Sequence, residues 1–311
     1  MQFPNHVCLF ALHFCTEAVQ FFTPTDTCEL LRCEVALASL YRITRQITMT
    51  GCQRMPFLQI YIFRLAWYDG IRIRAFPILR NTGGSDMNLL YEDKDILVVE
   101  KPAGIPVETS RIGSKDMVSL LRNHLAETVK NPQDGIPYLG MIHRLDQPVQ
   151  GVMVFAKNQK AAASLSKEIA QNEMKKTYLA VVEGKAKEAE TLTDFLLKDG
   201  RTNTSRKVPK GTKGAKEARL SYKCLKILET PDPGQPVLSL VRIHLFTGRH
   251  HQIRVQMASA GLPLYGDRKY NPVSAGPTLA LCAFELTFRH PSTRKSMTFS
   301  CQPAGEIFRR F

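Results

Sequence analysis

Lysine is absent from the first quarter of this chain. Residues 1–86 contain none, and all 20 lysines of the 311-residue sequence lie from Lys94 onward. The same segment holds five of the eight cysteines and the single tryptophan, Trp67. We interpret residues 1–86 as an unassigned N-terminal extension: either an accessory segment, or upstream sequence joined by a misplaced start with Met87 as the natural initiator. We favour the second, so residues 87–311 are expected to form the folded domain.

Charge and apolar patterning restrict the class of protein. Lysine and arginine number 42 against 28 acidic residues, a net charge of +14 that favours a polyanionic partner, most often nucleic acid. The most apolar run, 56–68, is broken by Gln59 and Arg64 and is too short to span a membrane. No charged segment precedes an apolar core, because the first basic residue is Arg32, so a secretory signal is not expected.

The cysteines favour a reducing compartment. They lie at irregular spacings without a Cys-x-x-Cys pair, so neither a zinc finger nor a disulfide framework is indicated. We therefore expect reduced thiols and a cytoplasmic protein. As separate expectations, the protein does not bind membranes and acts as a monomer without a protein partner.

Strand patterns outnumber helix patterns after Met87. Eight stretches alternate or are continuously apolar as strands are: 96–99, 143–145, 152–156, 178–182, 218–224, 237–245, 279–288 and 297–301. Helices are predicted behind Ser114, from near Asn158, and over 249–260 with Thr247 as the cap. The fifth and sixth strand patterns predict a long antiparallel hairpin. Because strands and helices do not alternate strictly, we predict an α+β domain built on a mixed, largely antiparallel sheet with flanking helices.

The segment 143–146, His-Arg-Leu-Asp, holds the strongest candidate for chemistry. In a strand, Arg144 and Asp146 point to the same side, and Asp146 stands where the strand runs into a loop that a substrate can reach. Nearby cations would hold this carboxylate ionised, which suits a nucleophile or a base. An ordinary ion pair between Arg144 and Asp146 at a sheet end is the alternative, and spacing alone favours it.

A second candidate cluster is 247–254, Thr-Gly-Arg-His-His-Gln-Ile-Arg, at the start of the third predicted helix. Free backbone amides and the helix dipole favour an anion there, and Arg249 and Gln252 share one face. Phosphate or carboxylate recognition is one interpretation, and a solvated helix end is the other. Adjacent His250 and His251 cannot both face one ion from a helix, so no metal site is expected.

Two further features suit a nucleic-acid partner. Tyr178 begins a strand pattern, where tyrosine is usually packed in the core but can instead stack on a base. Residues 198–216 hold seven basic residues and one acid among glycines and threonines, which predicts a mobile loop. We expect Lys207, Lys210 and Lys213 to bind phosphate there, a solvated loop being the alternative.

In their order and separations, four sequence blocks resemble the RluA-type family of RNA pseudouridine synthases. They are LVVEKPAGIP (97–106), HRLDQPVQGVMVFAK (143–157), KKTYLAVVEG (175–184), and TGRHHQIR (247–254) with GLPLYGD (261–267). The resemblance implies the pseudouridine synthase catalytic fold over residues 87–311. It also implies that uridine in RNA is isomerised to its carbon-linked form without a cofactor or metal.

The resemblance also implies roles for single residues. Asp146 matches the catalytic aspartate, and it either adds to the anomeric carbon or takes the 2′ proton, a choice that stays open. Tyr178 matches the tyrosine that stacks on the target base and is placed for the late proton removal. Arg249 matches the basic residue that pairs with the aspartate. We further expect Arg144, Gln252 and Arg254 to bind substrate, and the flipped-out target base to need a dry pocket.

Departures from the family pattern and rival functions complete the expectations. Val149 and Gln150 stand where many relatives have Thr-Ser, and Cys282 replaces the usual histidine of the tail. The chain is similar to short family members, which modify ribosomal or transfer RNA. The first rival is a noncatalytic RNA-binding or ribosome-assembly factor with the same fold. The second is a glycosidase, which normally needs paired carboxylates, and Asp146 has no convincing partner in the sequence.

Overall fold

The computed structural model describes residues 88–111, 113–127, 135, 137–229 and 236–311, so the predictions for residues 1–86 lie outside it. The strands of the described residues are β1 (Asn88–Glu92), β2 (Ile96–Lys101), β3 (Gly140–Met141), β4 (Gln150–Ala156), β5 (Lys175–Glu183), β6 (Ala189–Asp199), β7 (Thr204–Val208), β8 (Lys216–Leu228), β9 (Leu238–Leu245), β10 (Leu281–Arg289) and β11 (Ser296–Ser300). The α-helices there are α1 (Met117–Glu127), α2 (Gln159–Ala170) and α3 (Gln252–Ser259), and a 3₁₀ turn follows at Glu306–Arg310.

These strands form one 11-stranded sheet. Its order is β1-β2-β4-β10-β5-β9-β8-β6-β7, with β11 paired to β10 and β3 paired to β4. Strands β4 and β10 run parallel, with Cys282 opposite Gln150, and the remaining pairs are antiparallel. The predicted α+β fold with a mixed, largely antiparallel sheet is confirmed.

Helices cover both faces of the sheet around its centre. Alternate residues of β2 belong to two different apolar clusters: Leu97 packs with α1, whereas Val98 packs with α2. This explains why residues 96–99 of β2 are all apolar, since a strand segment buried on both faces has no polar side. Helix α2 begins as predicted after Asn158, whose side chain accepts the N–H of Ala161 at 2.8 Å. Burial of the central strands fixes where their ends, and the loops that follow them, can lie.

The chain before β4 differs from the prediction. Residues 143–145 are not a strand: β3 ends at Met141 and β4 begins at Gln150. A side chain takes the place of a backbone hydrogen bond to β4 here, because Nε2 of His143 accepts the N–H of Val154 at 3.2 Å. Asp146 therefore lies within a connecting segment that runs along β4, and not at the end of a strand.

Helix α3 begins later than predicted. Its first residue is Gln252, and His251 before it has a left-handed backbone with φ of 53°. Thr247 does not cap the helix, because its hydroxyl donates to the side-chain oxygen of Gln252 at 2.8 Å. The positive φ turns the chain sharply at His251, so Arg249 and Gln252 do not share a helix face.

The basic segment 198–216 is not the loop that its composition predicts. Part of it is β7, which pairs with β6 so that Ser205 lies opposite Lys198, and we call residues 189–208 the basic hairpin. Ser205 is buried, and its N–H donates to the hydroxyl of Tyr270 at 2.8 Å. Hydrogen bonds to β6 and to Tyr270 hold the edge strand β7 in place. A search for apolar periodicity in the sequence does not detect such a strand. The predicted hairpin of β8 and β9 is confirmed.

Candidate active site

Asp146 lies where two cavities of the domain meet. One cavity has a volume of about 660 Å³ and includes Tyr178 and Arg144 in its lining; the other has a volume of about 730 Å³. Asp146 lines both, and its side chain is 29% exposed. The backbone of its own segment sets its position, since the N–H of Val149 donates to the carbonyl of Asp146 at 3.0 Å. A substrate entering from either cavity can therefore reach this carboxylate.

Arg254 of α3 is the cation that faces Asp146. Its Nη1 lies 3.4 Å from Oδ2 of Asp146, while Nε and Nη2 donate to the two oxygens of Asp267 at 2.8 and 2.6 Å. Arg254 and Asp267 are both buried. Burial opposes the charge, but the hydrogen bonds and charge of Asp267 outweigh it and raise the pKa of Arg254. A permanently charged guanidinium is thus fixed against one oxygen of Asp146.

His251 faces the same oxygen of Asp146 from the start of α3. Its Nε2 lies 3.6 Å from Oδ2, and its other ring nitrogen is 2.9 Å from the hydroxyl of Tyr270. Burial, and then the positive charge of Arg254, lowers the pKa of His251 to about 3. The imidazole is therefore neutral near pH 7 and approaches the carboxylate as a hydrogen-bonding group without charge.

Tyr178 is buried in the wall of the smaller cavity. It lies on β5 opposite Ile243 of β9, which fixes the direction of its ring. Burial, and then the negative charge of Asp146, raises the pKa of Tyr178 well above its usual range. The side chain is therefore a neutral phenol with an apolar ring, suited to contact with a flat aromatic ligand.

The buried ammonium of Lys101 supports the chain segment that carries Asp146. It is fully buried at the end of β2, and its ammonium donates to the carbonyls of Pro102, Ile105 and Gln147 at 2.8, 2.6 and 3.0 Å. Burial lowers the pKa of Lys101 to about 8, against the opposing effect of the charge of Asp146. One side chain thereby ties the turn after β2 to the residue that follows Asp146.

Comparison with known proteins identifies the family. The sequence profile described as RNA pseudouridylate synthase matches residues 95–259, more than half of the chain. The dual-specificity RNA pseudouridine synthase RluA of Escherichia coli strain K12 is 34% identical over 215 residues, 68% of this chain and 90% of that protein. The chain belongs to the RNA pseudouridine synthase family. Its enzymes are isomerases, and the resemblance to the RluA type drawn from the four sequence blocks is confirmed.

Other similar proteins agree with this assignment. An uncharacterized RNA pseudouridine synthase of Aquifex aeolicus is 34% identical over 227 residues, 70% of this chain and 69% of that protein. The human RNA pseudouridylate synthase domain containing 1 has a TM-score of 0.56 at 24% identity, covering 70% of this chain and 83% of that one. This structural likeness shows that the fold is shared.

Within this synthase, the predicted role of Arg249 as the partner of Asp146 is wrong. Arg249 is exposed, and its Nε donates to the carbonyl of Glu217 at 2.8 Å. Arg254, predicted to bind substrate, is the arginine that contacts Asp146. Because α3 begins three residues later than predicted, the arginine in its first turn faces Asp146, whereas the one before the turn lines the smaller cavity without contacting Asp146.

Gln252 is not available to bind an anion either. Its side-chain oxygen accepts the N–H of Arg249 and the hydroxyl of Thr247, and its nitrogen donates to the carbonyl of Arg219 and to Gln256. The buried amide is fully used in tying α3 to the strand β8. Arg144 remains exposed and lines both cavities, in keeping with its predicted contact with substrate.

The three lysines predicted to bind phosphate have different surroundings. Lys207 lies on β7, and its ammonium is 2.6 Å from the buried carboxylate of Asp194. Lys210 and Lys213 lie on the exposed connection between β7 and β8. Of the three lysines, only Lys210 and Lys213 have the exposed, unpaired ammonium groups that the prediction of phosphate binding assumed.

Three side chains of the described residues bring possible metal ligands together: Asp93, Asp95 and His290. Nδ1 of His290 accepts the N–H of Thr293 at 3.1 Å, so the ring proton lies on Nε2, which donates to Asp93 at 2.7 Å. Asp95 accepts the hydroxyl of Ser292. These bonds join the turn between β1 and β2 to the turn between β10 and β11, and a structural role accounts for them.

No described helix is both long enough and apolar enough to cross a membrane.

Sequence reasoning missed four residues around Asp146: Lys101, His251, Asp267 and Tyr270. Three of them lie within the blocks that resemble the family, at 97–106, 247–254 and 261–267. Lys101 stands at the end of an apolar run, where a lysine is normally solvated, so its full burial could not be predicted from the sequence. Tyr270 lies outside the blocks, and no pattern in the sequence pointed to it.

Proposed function

We propose that this RNA pseudouridine synthase converts uridine to pseudouridine in a ribosomal or transfer RNA, with Asp146 as its catalytic carboxylate. One observation carries the proposal. Asp146 is a partly exposed carboxylate at the junction of two cavities, with one oxygen facing Arg254 and the smaller cavity shared with Tyr178. Such a group, held by a buried cation and open to solvent on its other side, is suited to act on a ribose.

The proposed reaction rearranges bonds within one nucleotide. The target uridine leaves its helix and enters the smaller cavity, whose volume of about 660 Å³ suffices for one nucleoside. Asp146 either adds to C1′ or removes the 2′ proton, and the bond between N1 and C1′ breaks. The base turns and C5 bonds to C1′, which breaks the bond between Asp146 and C1′ or, on the other route, is accompanied by return of the 2′ proton from Asp146 to C2′. The hydrogen on C5 is then released as a proton while N1 gains one. No net oxidation or reduction occurs, so the step needs no redox cofactor.

Tyr178 has two roles in this proposal, in a fixed order. Its neutral ring stacks on the uracil when the base arrives. Burial and the charge of Asp146 raise the pKa of Tyr178, so its resting form is the neutral phenol. The proton on C5 is removed last, because C5 can release it only after bonding to C1′. Tyr178 takes that proton as its own phenol proton passes to solvent.

The choice of ribosomal or transfer RNA rests on similar proteins and on charge. One similar protein, from Vibrio cholerae, is named tRNA pseudouridine synthase C and is 31% identical over 227 residues. The RluA relative is named dual-specificity. The net charge of +14 suits a long polyanion over a free nucleoside.

Mapping pseudouridine in total RNA from cells with and without the gene tests class and substrate together. The proposal predicts one or a few positions, in ribosomal or transfer RNA, that lose pseudouridine when the gene is deleted and regain it with the wild-type gene. Unchanged pseudouridine maps, together with RNA binding by the purified protein, would instead favour a noncatalytic RNA-binding factor. Loss of pseudouridine at a position in another class of RNA would contradict the assignment to ribosomal or transfer RNA, but not the assignment as a pseudouridine synthase.

A further inference from the structure

His251 is held in a conformation that its sequence does not favour. Its φ of 53° lies in the left-handed region, which costs free energy for a histidine and persists where surrounding contacts impose it. The ring stacks on His250 with centroids 3.8 Å apart and meets the edge of Tyr270. His250 is itself held, because its two ring nitrogens contact Ser205 and Asn203 of the basic hairpin. Several elements therefore combine to aim this imidazole.

A chain of hydrogen bonds sets which nitrogen of His251 carries the proton. The N–H of Ser205 donates to the oxygen of Tyr270 at 2.8 Å. The hydroxyl proton of Tyr270 then remains to be donated, and Nδ1 of His251 lies 2.9 Å from that oxygen. Because Nδ1 accepts, the neutral ring carries its proton on Nε2. That N–H faces Asp146, whose Oδ2 is 3.6 Å away.

Two donors from α3 and its first turn converge on a single oxygen of Asp146. Nη1 of Arg254 and Nε2 of His251 both face Oδ2, at 3.4 and 3.6 Å. Within the described residues, no hydrogen bond or ion pair involves Oδ1. Rotation of a carboxylate about its last bond is soft, so one long contact does not fix it. Two donors arriving from different directions restrict that rotation.

We propose that His251 is a positioning residue for Asp146: with Arg254 it holds Oδ2, so that Oδ1 is the oxygen that acts on the ribose. Tyr270 supports this by keeping the proton of His251 on Nε2. The inference rests on the proposed function, since it presumes that Asp146 is the catalytic carboxylate. At 3.6 Å the contact is longer than a hydrogen bond. The proposal requires it to shorten when the substrate displaces water from the cavity.

Two substitutions of His251 distinguish the effect of side-chain length from the effect of the strained backbone. Asparagine tolerates a positive φ better than histidine, but its amide reaches only to the place of Nδ1, beside Tyr270. Glutamine extends one carbon further and brings an N–H donor to the place of Nε2. His251→Asn should therefore keep the fold and lose the contact with Asp146, whereas His251→Gln should keep a donor there.

The assay follows tritium release by the full-length protein. The substrate is total RNA labelled with [5-³H]uridine, prepared from cells that lack the gene, and release is measured with enzyme in excess over target sites. We expect His251→Asn to slow release by about tenfold or more, with RNA affinity within about twofold of wild type. His251→Gln should restore the rate to within about threefold of wild type. Tyr270→Phe should slow release less than His251→Asn, and should add nothing in the His251→Asn background, because both act through one chain.

Three results would overturn the proposal. Wild-type rates for His251→Asn would show that Asp146 needs no second donor. Equal losses for the asparagine and glutamine variants, accompanied by lowered melting temperatures, would assign His251 a structural role only. Independent effects of the Tyr270 and His251 substitutions would break the proposed chain. Failure of the proposed function looks different, because the wild-type protein itself would then release no tritium.

Discussion

The surroundings of Asp146 and the basic hairpin both hold clustered charges, yet they handle charge in opposite ways. Around Asp146, the charges of Arg254 and Asp267 are buried and joined by two short hydrogen bonds. Directly after the hairpin, on the connection between β7 and β8, Lys210 and Lys213 are exposed. Buried charges interact strongly and in one geometry, whereas exposed ones are screened by salt and hold no fixed geometry. The first arrangement suits orienting a reacting group, and the second suits sequence-independent attraction of phosphate.

The two regions are physically joined. Ser205 of the hairpin donates its N–H to Tyr270 and bonds His250 through its hydroxyl at 2.9 Å. Tyr270 in turn contacts His251, which faces Asp146. A change in the edge strand can therefore reach Asp146 through Tyr270 and His251. Substitutions that separate the two kinds of charge test the distinction.

The largest contrast is expected between two arginines five positions apart. Arg254→Met should slow conversion by about 100-fold or more and destabilise the fold by about 3–5 kcal/mol, because it leaves Asp267 buried without its partner. Arg249→Met should change stability by less than about 0.5 kcal/mol, since Arg249 is exposed. Single-turnover rates and urea unfolding of both variants measure the contrast. A larger rate loss for Arg249→Met would restore the pairing first expected from the sequence.

Lys101 and Lys210 form a second matched pair, for stability. Lys101→Met leaves three carbonyl oxygens without their shared donor, and we expect a loss of about 3 kcal/mol in the free energy of unfolding. Lys210→Met should stay within about 0.5 kcal/mol of wild type. Urea unfolding monitored by circular dichroism provides both values. Equal stabilities for the two variants would mean that the buried ammonium does not support the segment of Asp146.

The exposed pair should matter for RNA affinity and not for chemistry. Lys210→Gln with Lys213→Gln should lower the slope of log affinity against log salt by up to about two, leaving the modified positions unchanged. Affinity for RNA is measured at several salt concentrations, and a pseudouridine map checks site choice. An unchanged slope would leave this connection a solvated loop without a role in binding.

The smallest effect is expected at Lys207. Its ammonium is already paired with Asp194 at 2.6 Å, although the side chain is 54% exposed. Lys207→Gln should therefore change the salt slope by less than about half a unit, and stability by less than about 1 kcal/mol. RNA-binding titrations of this variant and of the Lys210 and Lys213 double variant, at the same salt concentrations, show which change lowers the slope more. A slope change as large as theirs would show that the pair opens to bind phosphate.

The accuracy of prediction from the sequence followed the kind of interaction involved. Apolar alternation predicted the hairpin of β8 and β9, and the helical spacing of apolar residues predicted a helix from near Asn158, because both signals are local. The strand β7 was missed, since its polar residues are held by long-range bonds such as that from Ser205 to Tyr270. Arg249 and Arg254 could not be told apart, because the start of α3 depends on the positive φ of His251, which tertiary contacts impose.

The central claim is that Asp146 performs the chemistry while other groups hold it and bind RNA. Asp146→Asn keeps the shape of the side chain but can neither attack C1′ nor accept the 2′ proton. Single-turnover tritium release from RNA labelled with [5-³H]uridine compares this variant with wild type, with RNA affinity and a thermal melt as controls. We predict no measurable release by the variant, with an unchanged melt and equal or tighter RNA binding. Release within about tenfold of the wild-type rate, under about 1.4 kcal/mol of barrier, would contradict the account and assign the reaction to another group.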